Sequence, residues 1–474
     1  MVFNQTIYSK MKTLVLFVLM FFVFGCASYH DRITDYYQRV VSEDYSGAVN
    51  ALDKNKLLQK SRNLLLFNME KGRVEHLKGN YALSNHFLNQ ADLLIEDQVT
   101  KFGDVMAGLF LNSMSQSYKG EEFEIFMLHY YKALNYLYLG QPQEALVEAR
   151  RITLQNYELG DKYNNKTTRY SKDAFSLNLQ GLIYESTGNF NDAFIAYRNA
   201  IEVYQNAEGG LYYGVSAPDN LKYDVMNMAY KLGFTSELQK FEKEFNLSFK
   251  DYQMSEGGEL VVFWENGRAP IKIEENVFFS LVKGDSGALV FTNALGVVIP
   301  LDFGIAGTTN LSDVHSVNIS YPKYINQKVP FTNGMVQVNG KENYVLETIN
   351  DLDIVAVSTL NERAGKELGK ILTRLAVKKS AEYAVKSVAK SNDNNAVLEG
   401  VGLGLQLYNL LSEKADTRNW QTLPAEIKYT RVSLEKGVNK LKIELQNTNG
   451  AKSIQEIAIE SKGKLQFYNF ATMK

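Results

Sequence analysis

Residues 174–205 read AFSLNLQGLIYESTGNFNDAFIAYRNAIEVYQ, and this stretch decides the fold. Gly181 and Tyr184 lie three apart, and Gly188 follows four further on. Ala193, Tyr197 and Ala200 then fall at i, i+4 and i+7, one face of a helix. Gly188-Asn189 supplies a turn between two helices. Gly181 and Ala193 are small at the positions where those helices cross closely.

The same intervals recur upstream. Ala133, Tyr136, Gly140, Ala145, Ala149 and Ile152 form one further set, and Gly72, Glu75, Gly79, Ser84, Leu88 and Ala91 another. A weaker unit centres on Tyr45 and Ala48. This is the tetratricopeptide (TPR) pattern, an antiparallel helix pair in about 34 residues. The turn glycines at 79, 140 and 188 are spaced wider than that period, so insertions are expected in 97–120 and 155–172. A final pair, 221–231 and 236–245, is expected to cap the stack, because its second helix is charged. A curved stack has a concave side lined by the first helix of each pair. Tyr130, Tyr131, Asn135 and Tyr138 fall at non-crossing positions of such a helix. They are candidate partner-binding residues, weighed against inter-helix packing, the commoner role for such rings.

From residue 257 the pattern changes to alternating and β-branched. Strands are expected at 259–263, 270–273, 277–282, 289–291, 296–301, 314–320, 335–338 and 344–346. A helical hairpin follows at about 361–414, its first helix running from Asp351 to about Lys390. Strands return at 427–432, 438–445, 454–460 and 465–470. The expected chain is therefore multidomain. An all-α TPR-like repeat covers 26–250, and an α+β domain with β-sandwich-like strands and an inserted helical hairpin covers 257–474.

The N-terminus carries an address. Met11-Lys12 introduces an apolar run that ends at Val23-Phe24-Gly25-Cys26, with a small residue before the only cysteine. That is the form of a bacterial lipoprotein signal over residues 1–25, acylated at Cys26. The run is too short to span a bilayer, which takes about 20 apolar residues. Translation from either Met1 or Met11 preserves the signal. With Cys26 acylated no thiol remains for a disulfide, a metal site or a nucleophile. Net charge is −2, without the basic footprint of a nucleic-acid binder. The five histidines are scattered, only His76 and His86 approaching ligand spacing, and no metal or cofactor is expected beyond the covalent lipid.

Three clusters carry conceivable chemistry. Gly284-Asp285-Ser286-Gly287 resembles the nucleophile loop of trypsin-like proteases, but that fold needs a β-barrel upstream where this chain is helical. A turn between strands is the simpler reading. Asp416, Arg418 and Trp420 are either a ligand or partner site, or an ion pair beside a buried ring, and the second is favoured. The cationic helix 362–390 is either a lipid-headgroup surface or, more simply, a solvated face.

Two motifs carry a resemblance. Gly258-Glu259-Leu260-Val261-Val262-Phe263-Trp264-Glu265-Asn266-Gly267 is followed by Pro270 and Lys272; the second motif runs from Ala415-Asp416 through Trp420 to Pro424-Ala425. With the signal and the repeats, the chain resembles a largely uncharacterised family of TPR-containing outer-membrane lipoproteins of diderm bacteria. The apolar run 288–306 departs from that pattern. The resemblance implies a lipid-anchored protein of the outer membrane facing the periplasm. Gene neighbours of the family imply an envelope-assembly role, and the family has no established enzymatic activity to carry over. The expected function is a non-enzymatic scaffold that binds envelope proteins or peptides through its repeats. The alternatives are a structural component of an export or surface-assembly machine, or a periplasmic serine hydrolase with Ser286 as nucleophile.

Overall fold

Ten helices build the first half of the computed structural model, which describes residues 29–100, 114, 116–162, 172–250, 255–284, 288–301, 311, 315–391 and 414–474. They are α1 (Tyr29–Val41), α2 (Tyr45–Lys54), α3 (Leu64–Leu77), α4 (Tyr81–Thr100), α5 (Glu122–Tyr138), α6 (Pro142–Lys162), α7 (Ala174–Ser186), α8 (Phe190–Gln205), α9 (Asp219–Lys231) and α10 (Thr235–Phe245). Four pairs turn in the same way. Gly79, Gly140, Gly188 and Gly233 hold φ of 80°, 71°, 78° and 72°, the left-handed region open to glycine without strain. The amide after each glycine bonds back into the last turn of the first helix: Asn80 to Glu75 O, Gln141 to Tyr136 O, Asn189 to Tyr184 O and Phe234 to Ala229 O. That recurring cap ends the first helix and sends the chain back antiparallel.

The close crossings fall where the spacing places them. A Cβ on Gly181 would overlap the Tyr197 ring, and one on Gly72 would lie 2.6 Å from the Leu88 side chain. Ala133, Ala145, Ala193 and Ala200 are buried at the same junctions. The closing pair, α9 and α10, lies within a residue or two of its expected bounds, with Phe241 the one buried side chain of α10.

Three four-stranded sheets follow. Their strands are β1 (Gly258–Asn266), β2 (Ile271–Lys283), β3 (Leu289–Thr292), β4 (Val298–Pro300), β5 (Ser316–Ile325), β6 (Asn333–Val338), β7 (Glu342–Val345) and β8 (Glu347–Asp351). Then come α11 (Leu352–Ser391), β9 (Glu426–Ser433), β10 (Val438–Gln446), β11 (Lys452–Glu460) and β12 (Lys464–Thr472). The first sheet has the order β12-β1-β9-β8, the second β11-β10-β6-β7 and the third β4-β3-β2-β5. All neighbours are antiparallel except β1 and β12, which are parallel with Gly258 opposite Lys464. The first two sheets face each other as a sandwich around Leu260, Val262, Trp264, Val336, Ile443 and Phe470. The third sheet packs Phe279, Phe291, Ile299 and Val317 on Leu372, Leu375 and Ala376 of α11.

One expectation needs correction: 270–273 and 277–282 are not two strands. The segment after Gly267 does not continue β1 in one sheet. It crosses to the third sheet as a single thirteen-residue strand, because its inward side chains pack on α11 rather than on the sandwich. The inserted helix agrees with the expected first arm: it begins at Leu352, directly after β8, and runs forty residues. Leu352, Val355, Ala356 and Leu360 give its first turns an apolar face that joins the main core. The second arm of the expected hairpin, 396–414, lies outside the described residues except for Lys414. So do the signal segment with Cys26, and Ser286.

Candidate functional site

β1 is buried over all nine residues, and its alternation divides it between two cores. Leu260, Val262 and Trp264 face the second sheet. Val261 and Phe263 share a core with the helices; Glu265 points the same way to polar partners on them, and Glu259 to Arg431 of β9, which itself pairs with Glu185 and Asp224 on the helices. The neighbouring strands add Tyr429 and Arg431 from β9 and Leu465 and Asn469 from β12 to that face. It lies against the first helix of each pair, so the concave side of the stack holds the chain's own β-sheet.

Charges that would be too costly to bury alone are paired along this seam. On α3, Glu70, Arg73 and His76 recur at intervals of three. From the Glu121 N-cap along α5, Glu121, Glu124, Leu128, Tyr131, Asn135 and Tyr138 alternate intervals of three and four, which keeps them on one stripe. The Arg73 guanidinium pairs with Glu265, both side chains fully buried. Tyr130 and Tyr131 hydroxyls donate to the same carboxylate at 3.0 and 3.3 Å, and Asn469 donates at 2.7 Å. Tyr138 closes the set by donating to Asn469 Oδ1 at 2.6 Å. At the far end of the sheet Arg431 pairs with Glu259, Glu185 and Asp224 at once. Near α11, Glu121 pairs with both Lys272 and Arg363.

Residues 415–425 thread through the seam as an irregular segment that turns at Gln421-Thr422. The Ala415 amide donates to Glu274 at 3.0 Å. Arg418 makes a two-pronged pair with Asp416 at 2.8 and 2.6 Å and donates to Asn63 Oδ1 and to the carbonyls of Arg62 and Gln116. The Trp420 amide donates to Glu124 at 2.7 Å and the Gln421 amide to Glu70 at 3.1 Å. Arg73 Nε reaches the Thr422 carbonyl at 3.3 Å. Helix carboxylates thus bind main-chain amides of a segment of the chain itself that lies in the groove.

Burial raises the Glu70 carboxyl to about 7, although Thr422, Tyr37, Tyr36 and the Gln421 amide all donate to it. Burial also raises Glu124, with the neighbouring Glu121 charge pushing the same way. Burial opposes ionisation of Glu121 too, but Lys272 and Arg363 hold it below the usual carboxylate range. His76 is lowered to about 4 by burial and by the Arg73 charge. Its bonds agree with a neutral ring: Nδ1 lies 2.6 Å from Asn135 Oδ1, and Nε2 lies 2.9 Å from the donor Asn469 Nδ2. Both nitrogens are engaged, so His76 does not pair with His86 as a metal site.

Among the described residues one group has metal-ligand spacing: Asp92, His129 and Glu148, all buried. Its cation is already supplied. Lys132 Nζ sits 2.6 Å from Asp92 and 3.0 Å from Glu148, and His129 Nδ1 sits 2.8 Å from Glu148. The group reads as an ion-paired brace between α4, α5 and α6.

The sequence-derived candidates therefore meet in one place, in a different role. Tyr130, Tyr131 and Tyr138 do lie on the concave side, but they touch Phe263, Trp420 and Asn469 rather than an open surface. The expected free partner face is corrected on that ground: the sheet supplies enough apolar and paired polar surface to fill it. Arg418 and Trp420 are buried and Asp416 pairs with Arg418, as the structural reading of that cluster had it. Glu70, Arg73, Glu124, Glu185 and Arg431 escaped the sequence reading. A single charge on a helix stripe looks solvated until its partner, hundreds of residues away, is known. A signal was present in the quoted motif, where Glu259 and Glu265 alternate with the apolar side chains that face the helices.

No family model matches the chain, and no curated protein matches it. Two crystal structures of MamA are similar to it in part, each with a TM-score of 0.28. They are 16% and 15% identical, and the match covers 46% of this chain and 92% and 96% of theirs. At that score the likeness adds nothing to what the helices themselves establish.

Proposed function

We propose that this chain is a lipid-anchored scaffold of the bacterial envelope, non-enzymatic, whose repeat groove is filled by its own C-terminal half. The observation that carries the reading is residues 415–425, held in the groove by Glu70, Arg73 and Glu124. A repeat stack filled on its concave side keeps its outer side for partners. Leu93 on α4, Leu154 on α6 and Ile195 on α8 stand exposed there. The anchor reading rests on Gly25-Cys26 behind its apolar run. Among the described residues no helix is long and apolar enough to cross a membrane.

Photo-crosslinkers placed in cells at Leu93 and Leu154 are expected to capture envelope proteins, whereas one at Tyr130 captures only this chain. Capture from Tyr130 but not from the outer sites would overturn the assignment of surfaces. Cys26→Ser is expected to abolish fatty-acid incorporation; labelling that persists removes the anchor.

The filled groove also favours a second reading, a permanent structural part of an export or surface-assembly machine. A groove closed by buried ion pairs does not exchange peptides readily. A fixed stoichiometry with one partner through purification supports this reading, and substoichiometric capture supports the adaptor.

A further inference from the structure

β2, β3 and β4 have an inner face packed on α11 and an outer face that, beyond Glu274, stands exposed at Phe278, Ser280, Val282, Val298 and Pro300. The outer face of such an antiparallel sheet is normally polar. Here the register sets Val282 opposite Val290, and Val290 opposite Pro300. Ser280, Thr292 and Val298 form the next row, with Phe278 beside it on β2. Phe278 is 69% exposed and Val298 61%, and Leu295 at the tip of the β3–β4 hairpin is 86% exposed. One large apolar side chain in water is ordinary, but a contiguous set on one face marks a surface made for an apolar neighbour.

The position of the N-terminus says which neighbour. Tyr29 is buried at the start of α1, whose Tyr36 and Tyr37 donate to the Glu70 carboxylate that also accepts from Gln421 and Thr422, a few residues from Asp416. Ala415, next to Asp416, is bonded to Glu274 on β2. Cys26 is three residues from Tyr29, a reach of about 10 Å. Phe278 lies four residues along β2 from Glu274, about 13 Å away. A lipid on Cys26 therefore holds the bilayer surface within reach of this face. We propose that the outer face of β2–β3–β4, led by Leu295 and Phe278, docks on the bilayer that holds the anchor. The proposal rests on the anchor reading above, which supplies the geometry. Contact at a second point would fix the orientation of the whole molecule on the membrane, where a lone acyl anchor leaves it free to swing.

The chain's one cysteine makes the test clean. Once Cys26 is acylated, Leu295→Cys is the only thiol and takes an environment-sensitive dye alone. In vesicles of phosphatidylethanolamine and phosphatidylglycerol, that dye is expected to be quenched by brominated acyl chains and shielded at least threefold from aqueous iodide. The same dye at Ile454→Cys, on the exposed strand β11, should stay open to iodide and untouched by bromine. Adding Phe278→Ser and Val298→Thr, both exposed, should restore iodide access at Leu295 without changing the melting temperature. Equal iodide access at the two sites overturns the proposal. Shielding without bromine quenching that grows with protein concentration also overturns it, in favour of a second copy of the chain. A parent chain that takes dye at Cys26 sinks the anchor reading instead. The bromine measurement in a Cys26→Ser background then decides the face by itself, quenching supporting it and no quenching overturning it.

Discussion

Arg73→Met removes the cation from the centre of the seam and leaves Glu265 buried. The pair has no solvent exposure on either side. Two unit charges about 4 Å apart attract by about 4 kcal/mol at an effective dielectric of 20. Methionine keeps part of the contact of the guanidinium with the Tyr131 ring, which now stacks at 4.4 Å. It also loses the bond to the Thr422 carbonyl. Tyr130, Tyr131 and Asn469 still donate to Glu265, so the carboxylate is not wholly abandoned. The expected loss is about 3–5 kcal/mol, the range for removing one partner of a buried pair. Arg73→Met with Glu265→Gln leaves no buried charge and should recover most of that loss. The measurement is urea unfolding of the four members of the cycle at pH 7, followed by circular dichroism and by tryptophan fluorescence. Trp264 reports the sandwich, Trp420 the seam, and helical ellipticity chiefly the repeats. If the seam joins the halves into one cooperative unit, the two signals coincide in the parent and separate in Arg73→Met. A single variant that costs under about 1 kcal/mol, with signals still coincident, would refute the claim that this pair holds the halves together.

Further outcomes follow from the same geometry. Glu70 holds its proton to about 7 in the folded chain against an ordinary 4.5, so its contribution is complete below 4.5 and is lost as pH rises through 7. Relative to Glu70→Gln, the parent should lose up to about 3 kcal/mol between pH 5 and 8, read by urea unfolding at both; a flat difference refutes the buried-acid assignment. His76, lowered from 6.5 to about 4, acts in the opposite sense, its contribution falling as pH drops from 6.5 to 4. His76→Gln should therefore flatten the acid limb of the stability profile. Gly181→Ala should cost about 1–3 kcal/mol, because the methyl meets the Tyr197 ring; an unchanged melting temperature would mean that the crossing is loose. Tyr130→Ala should lower stability by about 3–5 kcal/mol as a core truncation. Lost partner crosslinking at an unchanged melting temperature would instead restore the open-face reading.

The sequence by itself determined the local elements. Interval patterns of three, four and five around Gly181, Gly140 and Gly79 placed the helix pairs, because close crossings tolerate only small residues and the recurring turn needs a left-handed glycine. Alternation placed most strands within a few residues, because a half-buried strand must switch faces at every step. What the sequence left undecided was what each face meets. Tyr130 and Tyr131 carry the same signature whether they await a partner or already touch Glu265. Arg431 reads as a surface charge until α7 and α9 bring Glu185 and Asp224 to it. β1 pairs with β12, just over two hundred residues away, and β2 leaves for another sheet although Asn266-Gly267 carries a turn signal. Such pairings arise from the summed burial of many side chains across the chain, and no window of neighbouring residues contains that sum. The helices and strands are local consequences of spacing, whereas the filled groove belongs to the tertiary structure alone.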